Sequence, residues 1–192
     1  MRKFTSLIGI ATLALSLNVY GADAPETITV TSSAFDHHGT VPEEYSAYGD
    51  NKSIDLSWSN LPTGTVQLAL ICDDPEVVTI GMMETPFPHW VAYNIPASAS
   101  GLPEGMATDA VVSGVAGLDG MINGLNGTSR SGYFGPRPPV NGHLHAYHFR
   151  VYAIDANLDL GEGLNKDELL AAIDGHVLAT GMLMGHYERK EQ

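Results

Sequence analysis

Cysteine is almost absent from this 192-residue chain: Cys72 stands alone, so no intramolecular disulfide and no cysteine-based metal cluster is available. Cations are scarce as well, nine Lys and Arg against 22 Asp and Glu, for a formal charge of −13 with the eight His neutral. So few cations cannot build a face that neutralises phosphates along a nucleic acid, which excludes that partner. An anionic membrane surface is disfavoured for the same reason. No apolar run reaches the roughly 20 residues that a spanning helix needs. Charged residues make up only 16% while hydrophobic ones reach 44%, so the chain has the composition of a packed core and not of disorder. Its length suits one domain.

The first residues stand apart. Arg2 and Lys3 precede an almost wholly apolar stretch from Leu7 to Leu17, and Val19-Tyr20-Gly21 offers small residues at a cleavage site. This is the pattern of a secretory signal peptide, with a buried N-terminal helix as the alternative. Residues 1–21 are expected to be removed on export to the bacterial periplasm, leaving residues 22–192 as a single domain. Its charge is −15, from seven cations and 22 acids. Cys72 ends the apolar run Leu68-Ala69-Leu70-Ile71-Cys72, where an unpaired thiol in an oxidising compartment is expected to be buried.

Helical periodicity is rare, and short β-type runs bounded by turn residues recur. Ile28 to Thr31 is β-branched; Ile54, Leu56 and Trp58 alternate with polar residues; Val66 to Cys72 and His89 to Ile95 are apolar runs; Leu144 to Ile154 reads as the last long strand. With 21 Gly and 11 Pro between them, these segments predict a mainly β, mostly antiparallel fold. The clearest helix is Asp167 to Ile173, with Asn165 as N-cap, Glu168 three residues on, and Asp174-Gly175 as its stop. Met121 to Gly142 reads as a long loop without strands, a length that is usually functional.

Charge patterning points to that loop and the strand after it. From Gly120 to Ile154 there is no Asp or Glu, where an even spread would place about four or five, and Arg130, Arg137, Arg150, His143, His145 and His148 all lie within it. An anion site and a chance fluctuation both fit this pattern. Along the strand, His145 and Tyr147 project from one face and His148 and Arg150 from the other, so His143, His145 and His148 make no metal triad. A His beside a Tyr supplies two donors suited to a phosphate or carboxylate, whereas a satisfied core histidine is the plain alternative. The acids of Asp73-Asp74-Pro75-Glu76 close the apolar run from Val66, and Asp-Pro is itself a turn signal.

These motifs together resemble the phosphatidylethanolamine-binding proteins, also called Raf kinase inhibitor-like proteins, in their bacterial branch. The resemblance covers nearly all of the mature chain. It rests on Leu56-Ser57-Trp58-Ser59-Asn60-Leu61-Pro62, Asp73-Asp74-Pro75-Glu76, His89-Trp90-Val91-Ala92-Tyr93-Asn94-Ile95-Pro96, Gly132-Tyr133-Phe134-Gly135-Pro136-Arg137-Pro138-Pro139 and Gly142-His143-Leu144-His145-Ala146-Tyr147. It implies a large antiparallel sheet packed on a smaller one, peripheral helices, and an anion pocket at one end of the large sheet. Carried over by residue, the pocket comprises Asp74, His89, His145 and Tyr147, with Pro138 and Pro139 as a rigid wall and Tyr187 at the rim. The sequence departs from the family pattern at three points. Ala146 stands where the family has Arg, Arg137 occupies a small-residue position at the mouth, and the aromatic before the first His is displaced to Phe87.

An Asp near two imidazoles favours their protonated forms, and imidazolium plus phenol makes a receptor for a phosphate oxygen. The expected function is binding of a small phosphorylated or carboxylated ligand or a phospholipid head group, without cofactor or metal. The family's second name adds modulation of a protein partner such as a kinase or protease. A phosphoester or ester hydrolase is the alternative, in which Asp74, His89 and His145 orient a water. Gly127-Thr128-Ser129-Arg130-Ser131 misses the G-x-S-x-G elbow at its last position, and there is no H-E-x-x-H or P-loop. Mass spectrometry of exported protein is expected to find residues 1 to about 21 missing, and full-length chain as the sole product would refute the leader.

Overall fold

The computed structural model describes residues 25–191, so the expected leader lies outside the described residues. The strands are β1 (Thr29–Thr31), β2 (Gly39–Thr40), β3 (Leu56–Ser59), β4 (Gln67–Asp74), β5 (Phe87–Pro96), β6 (Gly101–Leu102), β7 (Ile122–Asn123), β8 (His145–Ile154) and β9 (Val177–Tyr187). Helix α1 is the single turn Glu76–Thr79 and α2 spans Lys166–Ile173. A six-stranded sheet runs in the order β2-β9-β8-β4-β5-β7, and β1-β3-β6 form a three-stranded sheet. All named pairs are antiparallel except β2 with β9, where Gly39 faces Gly185 in a parallel register. The fold is therefore the mainly β, two-sheet arrangement expected.

Strand pleating divides the core. From β4, Leu68, Leu70 and Cys72 point to one face, where they meet Trp90 of β5, Phe149 of β8, and Val30, Leu56 and Trp58 of the small sheet. Ala69 and Ile71 point to the opposite face with Val91, Tyr93 and Tyr152, covered there by Leu169 and Ile173 of α2. Both faces of the central strand are thus buried, which is why β4 reads as an unbroken apolar run and not as an alternation. Cys72 is buried within it, and burial pushes its thiol pKa up. Helix α2 starts with the full capping box: Asn165 accepts from the backbone of Asp167 and Glu168, and the Glu168 carboxylate accepts from Asn165 N–H at 2.9 Å.

Two expectations need correction. Leu144 to Ile154 is not the last long strand, because β9 follows it and pairs with it along its whole length, from His145↔Tyr187 to Ile154↔Val177. The core-facing positions of β9 are Ala179, Gly181, Leu183, Gly185 and Tyr187, so small residues hide the apolar alternation that would announce a strand. The glycines are required by close approach. A Cβ on Gly181 would overlap the Ile28 carbonyl of the chain crossing beneath it, and one on Gly185 would lie 2.6 Å from the Phe35 ring. Secondly, the stretch from Met121 to Gly142 contains β7 and the Leu125↔Ser131 bridge, and it buries Met121 and Tyr133.

Gly181→Ala is expected to lower stability by about 1–3 kcal/mol, the usual cost of a methyl forced against packed neighbours. The check is a lower denaturant midpoint with an unchanged m-value, and an unaltered midpoint would show that Ile28 is free to move aside.

Candidate anion-binding site

At the end of β4 the pleat sends two adjacent acids in opposite directions. Asp73 follows Ile71 to the α2 face, where its Oδ2 lies 2.8 Å from Lys166 Nζ. Asp74 follows Cys72 to the other face and is almost wholly buried. Its Oδ1 accepts from Glu76 N–H at 2.9 Å, and its Oδ2 accepts from His145 Nδ1 at 2.7 Å. Because a carboxylate only accepts, this bond puts a proton on Nδ1 and turns Nε2 away from Asp74. His145 and Tyr147 then point the same way from β8, as period 2 requires.

His89 reaches the same face by a different device. Along β5, Cys72 pairs with Trp90 but Asp73 pairs with Pro88, so His89 is the extra residue of a β-bulge. Strict alternation would put His89 with Val91 on the α2 face; the bulge re-aims it toward Tyr147, with ring centroids 5.0 Å apart at 79°. Its Nδ1 donates to the Phe134 carbonyl at 2.6 Å, while Phe134 N–H donates to the His89 carbonyl at 2.8 Å. The long loop is thereby clamped onto β5, and the Phe134 ring stacks on the imidazole at 5.7 Å.

These groups line a pocket of about 350 Å³. Asp74, His89, His145 and Tyr147 form its polar part; Phe87, Phe134, Pro138 and Pro139 form its walls; Arg137 stands exposed at the mouth. Tyr187 does not line it, contrary to expectation. It is the register partner of His145, but its ring is buried and stacks on Tyr48. Val77, Met82, Met83 and Thr128 complete the lining. Phe87 and Phe134 lay inside motifs already singled out, whereas nothing in the spacing of Met82 and Met83 marks them as lining residues.

Two polar atoms at the base of the pocket, His145 Nε2 and Tyr147 Oη, are buried and have no hydrogen-bond partner among the described residues. Burial, aided by the nearby Asp74 charge, pushes the Tyr147 pKa well up against the weaker pull of the Arg137 backbone N–H, which lies near Oη outside hydrogen-bonding geometry, so the phenol keeps its proton as a donor. His89 behaves otherwise than expected. Burial lowers its pKa, and the opposing pull of the Phe134 carbonyl and of Asp74 does not overcome the desolvation. Its imidazole is neutral at pH 7, with the proton on Nδ1 and a lone pair on Nε2. Among the lining residues, Arg137 at the mouth carries a fixed positive charge. The Thr128 hydroxyl in the lining donates to Asn126 Oδ1 at 2.6 Å and not to either imidazole.

The chain is similar to known proteins along most of its length. The family described as phosphatidylethanolamine-binding protein matches residues 31–188. A UPF0098 protein of Methanothermobacter thermautotrophicus is 38% identical over 162 residues, 84% of this chain and 99% of its own length. Another from Chlamydia muridarum is 38% identical over 83% of this chain and 98% of its own length. Among solved structures, a phosphatidylethanolamine-binding protein homolog from Chlamydia trachomatis is 36% identical with a TM-score of 0.73, covering 86% of this chain and 99% of its own. YbcL of E. coli, described as a member of the mammalian family, shares the fold at 24% identity and a TM-score of 0.75, covering 85% of this chain and 99% of its own. The match over residues 31–188, with relatives this similar along nearly their full length, means that the chain belongs to the phosphatidylethanolamine-binding protein family.

Proposed function

We propose that this is an exported binding protein for small phosphorylated or carboxylated ligands, a phosphate ester or phospholipid head group among them. The observation that carries this reading is the pair of orphaned atoms, His145 Nε2 and Tyr147 Oη, at the base of an otherwise largely apolar pocket. A buried polar group left unpaired costs roughly 1–3 kcal/mol, which an incoming oxygen offsets. Tyr147 donates in its only accessible state, and protonated His145 donates a second, charge-assisted bond beside it. Hydrolysis is the weaker reading. The Asp74–His145 pair does resemble a base with its orienting carboxylate that could act on a water, and steady turnover of phenyl phosphate abolished by His145→Ala would favour that reading over binding alone.

A phosphate oxygen can accept from His145 Nε2 only when that atom carries a proton, so affinity is expected to be higher at acid pH than at alkaline pH. Calorimetry with phenyl phosphate from pH 5 to about 8 reads this out. His145→Ala should weaken binding by about 1.5–3 kcal/mol, and Asp74→Asn, which removes the carboxylate that holds His145 Nδ1, should weaken it as well. Affinity flat in pH and indifferent to both substitutions would overturn the site.

Stability without ligand should run the other way. The folded pKa of His89 lies below its unfolded value of about 6.5, so folding releases its proton. The stability this confers is complete above the unfolded pKa and is lost as pH falls from there to the folded pKa. Half-buried His148 is shifted by burial in the same direction. Thermal midpoints are expected to drop between about pH 7 and pH 5, with a shallower slope in His89→Gln; an identical slope in that variant would remove His89 from the account.

A further inference from the structure

A second, polar basin of about 560 Å³ adjoins the first pocket, and the two share Thr128, Phe134 and Arg137. It adds Arg130, Ser131, Asn51 and Thr108 to these, and no carboxylate residue lines it. Among the described residues, the ion pairs engage Lys52, Lys166 and Arg189, and neither Arg130 nor Arg137 lies within 4.0 Å of a carboxylate. A chain with 22 acids thus holds two unpaired guanidiniums at one basin.

Both arginines stand on backbone that is already fixed. The Asn126–Ser131 loop is closed by Asn126 N–H donating to the Arg130 carbonyl at 2.8 Å, and buried Asn126 spans it by donating to the Gly132 carbonyl and accepting from Thr128 N–H. Arg137 sits among Pro136, Pro138 and Pro139. Ala47 N–H donates to the Pro136 carbonyl at 3.0 Å, and the Tyr48 hydroxyl to the Pro138 carbonyl at 2.7 Å. Little backbone entropy is left to lose when the two side chains gather an anion. The first pocket's lining also includes exposed Met82 and Met83, which are absent from the lining of the second basin.

We infer that the Arg130 basin is a second anion subsite, and that the ligand is a small molecule with two anionic groups, one at His145 and Tyr147 and the other between Arg130 and Arg137. This inference rests on the proposed anion pocket for the first group. Arg130 lies outside that pocket, so its role separates from those of His145 and Tyr147.

The test is calorimetry with propylphosphonate against alkane-α,ω-bisphosphonates of increasing chain length. At the matching length the bisphosphonate should bind about five- to tenfold tighter than the monophosphonate of that length, above the roughly twofold statistical factor for two equivalent ends. Arg130→Gln should erase that gain and leave propylphosphonate binding unaltered, and added salt should shrink it because the guanidiniums are exposed. A gain no larger than the statistical factor, or one that survives Arg130→Gln, overturns the second subsite; if propylphosphonate still depends on His145, the first pocket stands. Bisphosphonate binding that ignores His145→Ala but is lost in Arg130→Gln instead sinks the first pocket and with it the two-group ligand. Absence of binding by either probe overturns both.

Discussion

The hydrogen bond from His145 to Asp74, buried on both sides, holds the site end of the large sheet together. Pairing of β4 with β8 stops at Asp73↔His148, while β8 stays paired to β9 as far as His145↔Tyr187. Residues 145–147 therefore have β9 on one side and no strand ladder on the other, and there the pocket opens. Past the last ladder pair only side chains join β4 to β8, and the Asp74–His145 bond is the one that spans them. Removing one partner would strand a buried carboxylate or imidazole, a change that typically costs about 3–5 kcal/mol. The same bond fixes the tautomer, so one interaction joins the two strands and leaves Nε2 as the unpaired ring nitrogen of a pocket-lining residue.

Most of the architecture follows from local pattern, and the exceptions share a cause. Strands whose inward residues are large, such as β4 and β8, are legible because alternation or an unbroken apolar run encodes their burial. Strand β9 is not legible, because its inward positions must be small where Ile28 and Phe35 pack against it. The pocket is similar. Asp74, His145 and Tyr147 follow from pleat parity once their strands are known, but His89 does not. It depends on one extra residue in β5, and a bulge is decided by pairing with β4, which no window of sequence contains. Tyr187 fails for a related reason: adjacency to His145 across the ladder does not make it point into the same cavity.

Burial also decides how the ionisable groups divide their work. Asp74 pulls His89 toward the protonated form, yet this effect is smaller than the desolvation that ring suffers beneath Phe87 and Phe134. His89 is thereby kept as a neutral support that clamps the loop, whereas His145 is bonded directly to the carboxylate through Nδ1. Two histidines with different partners thus take different roles, in the way that environment separates paired acids elsewhere.

The proposed binding of anions by a protein of net charge −13 poses a problem of range. At physiological ionic strength a charge is screened over about 8 Å, so carboxylates on the far side of the molecule matter little to a ligand in the pocket, while those within that radius matter a great deal. Clearing acids from residues 120–154 clears them from the segment that supplies His145, Tyr147, Thr128, Phe134, Arg137 and both following prolines to the cavity. Asp74 is the exception among the polar lining, and its two oxygens are already committed to Glu76 N–H and His145. The field a ligand meets is consequently set by the nearest few groups, and two of those, Arg130 and Arg137, are cations with no carboxylate partner among the described residues, Arg137 lying over the Tyr48 ring at 5.9 Å. Negative charge over the rest of the surface can then serve solubility without being felt at the mouth.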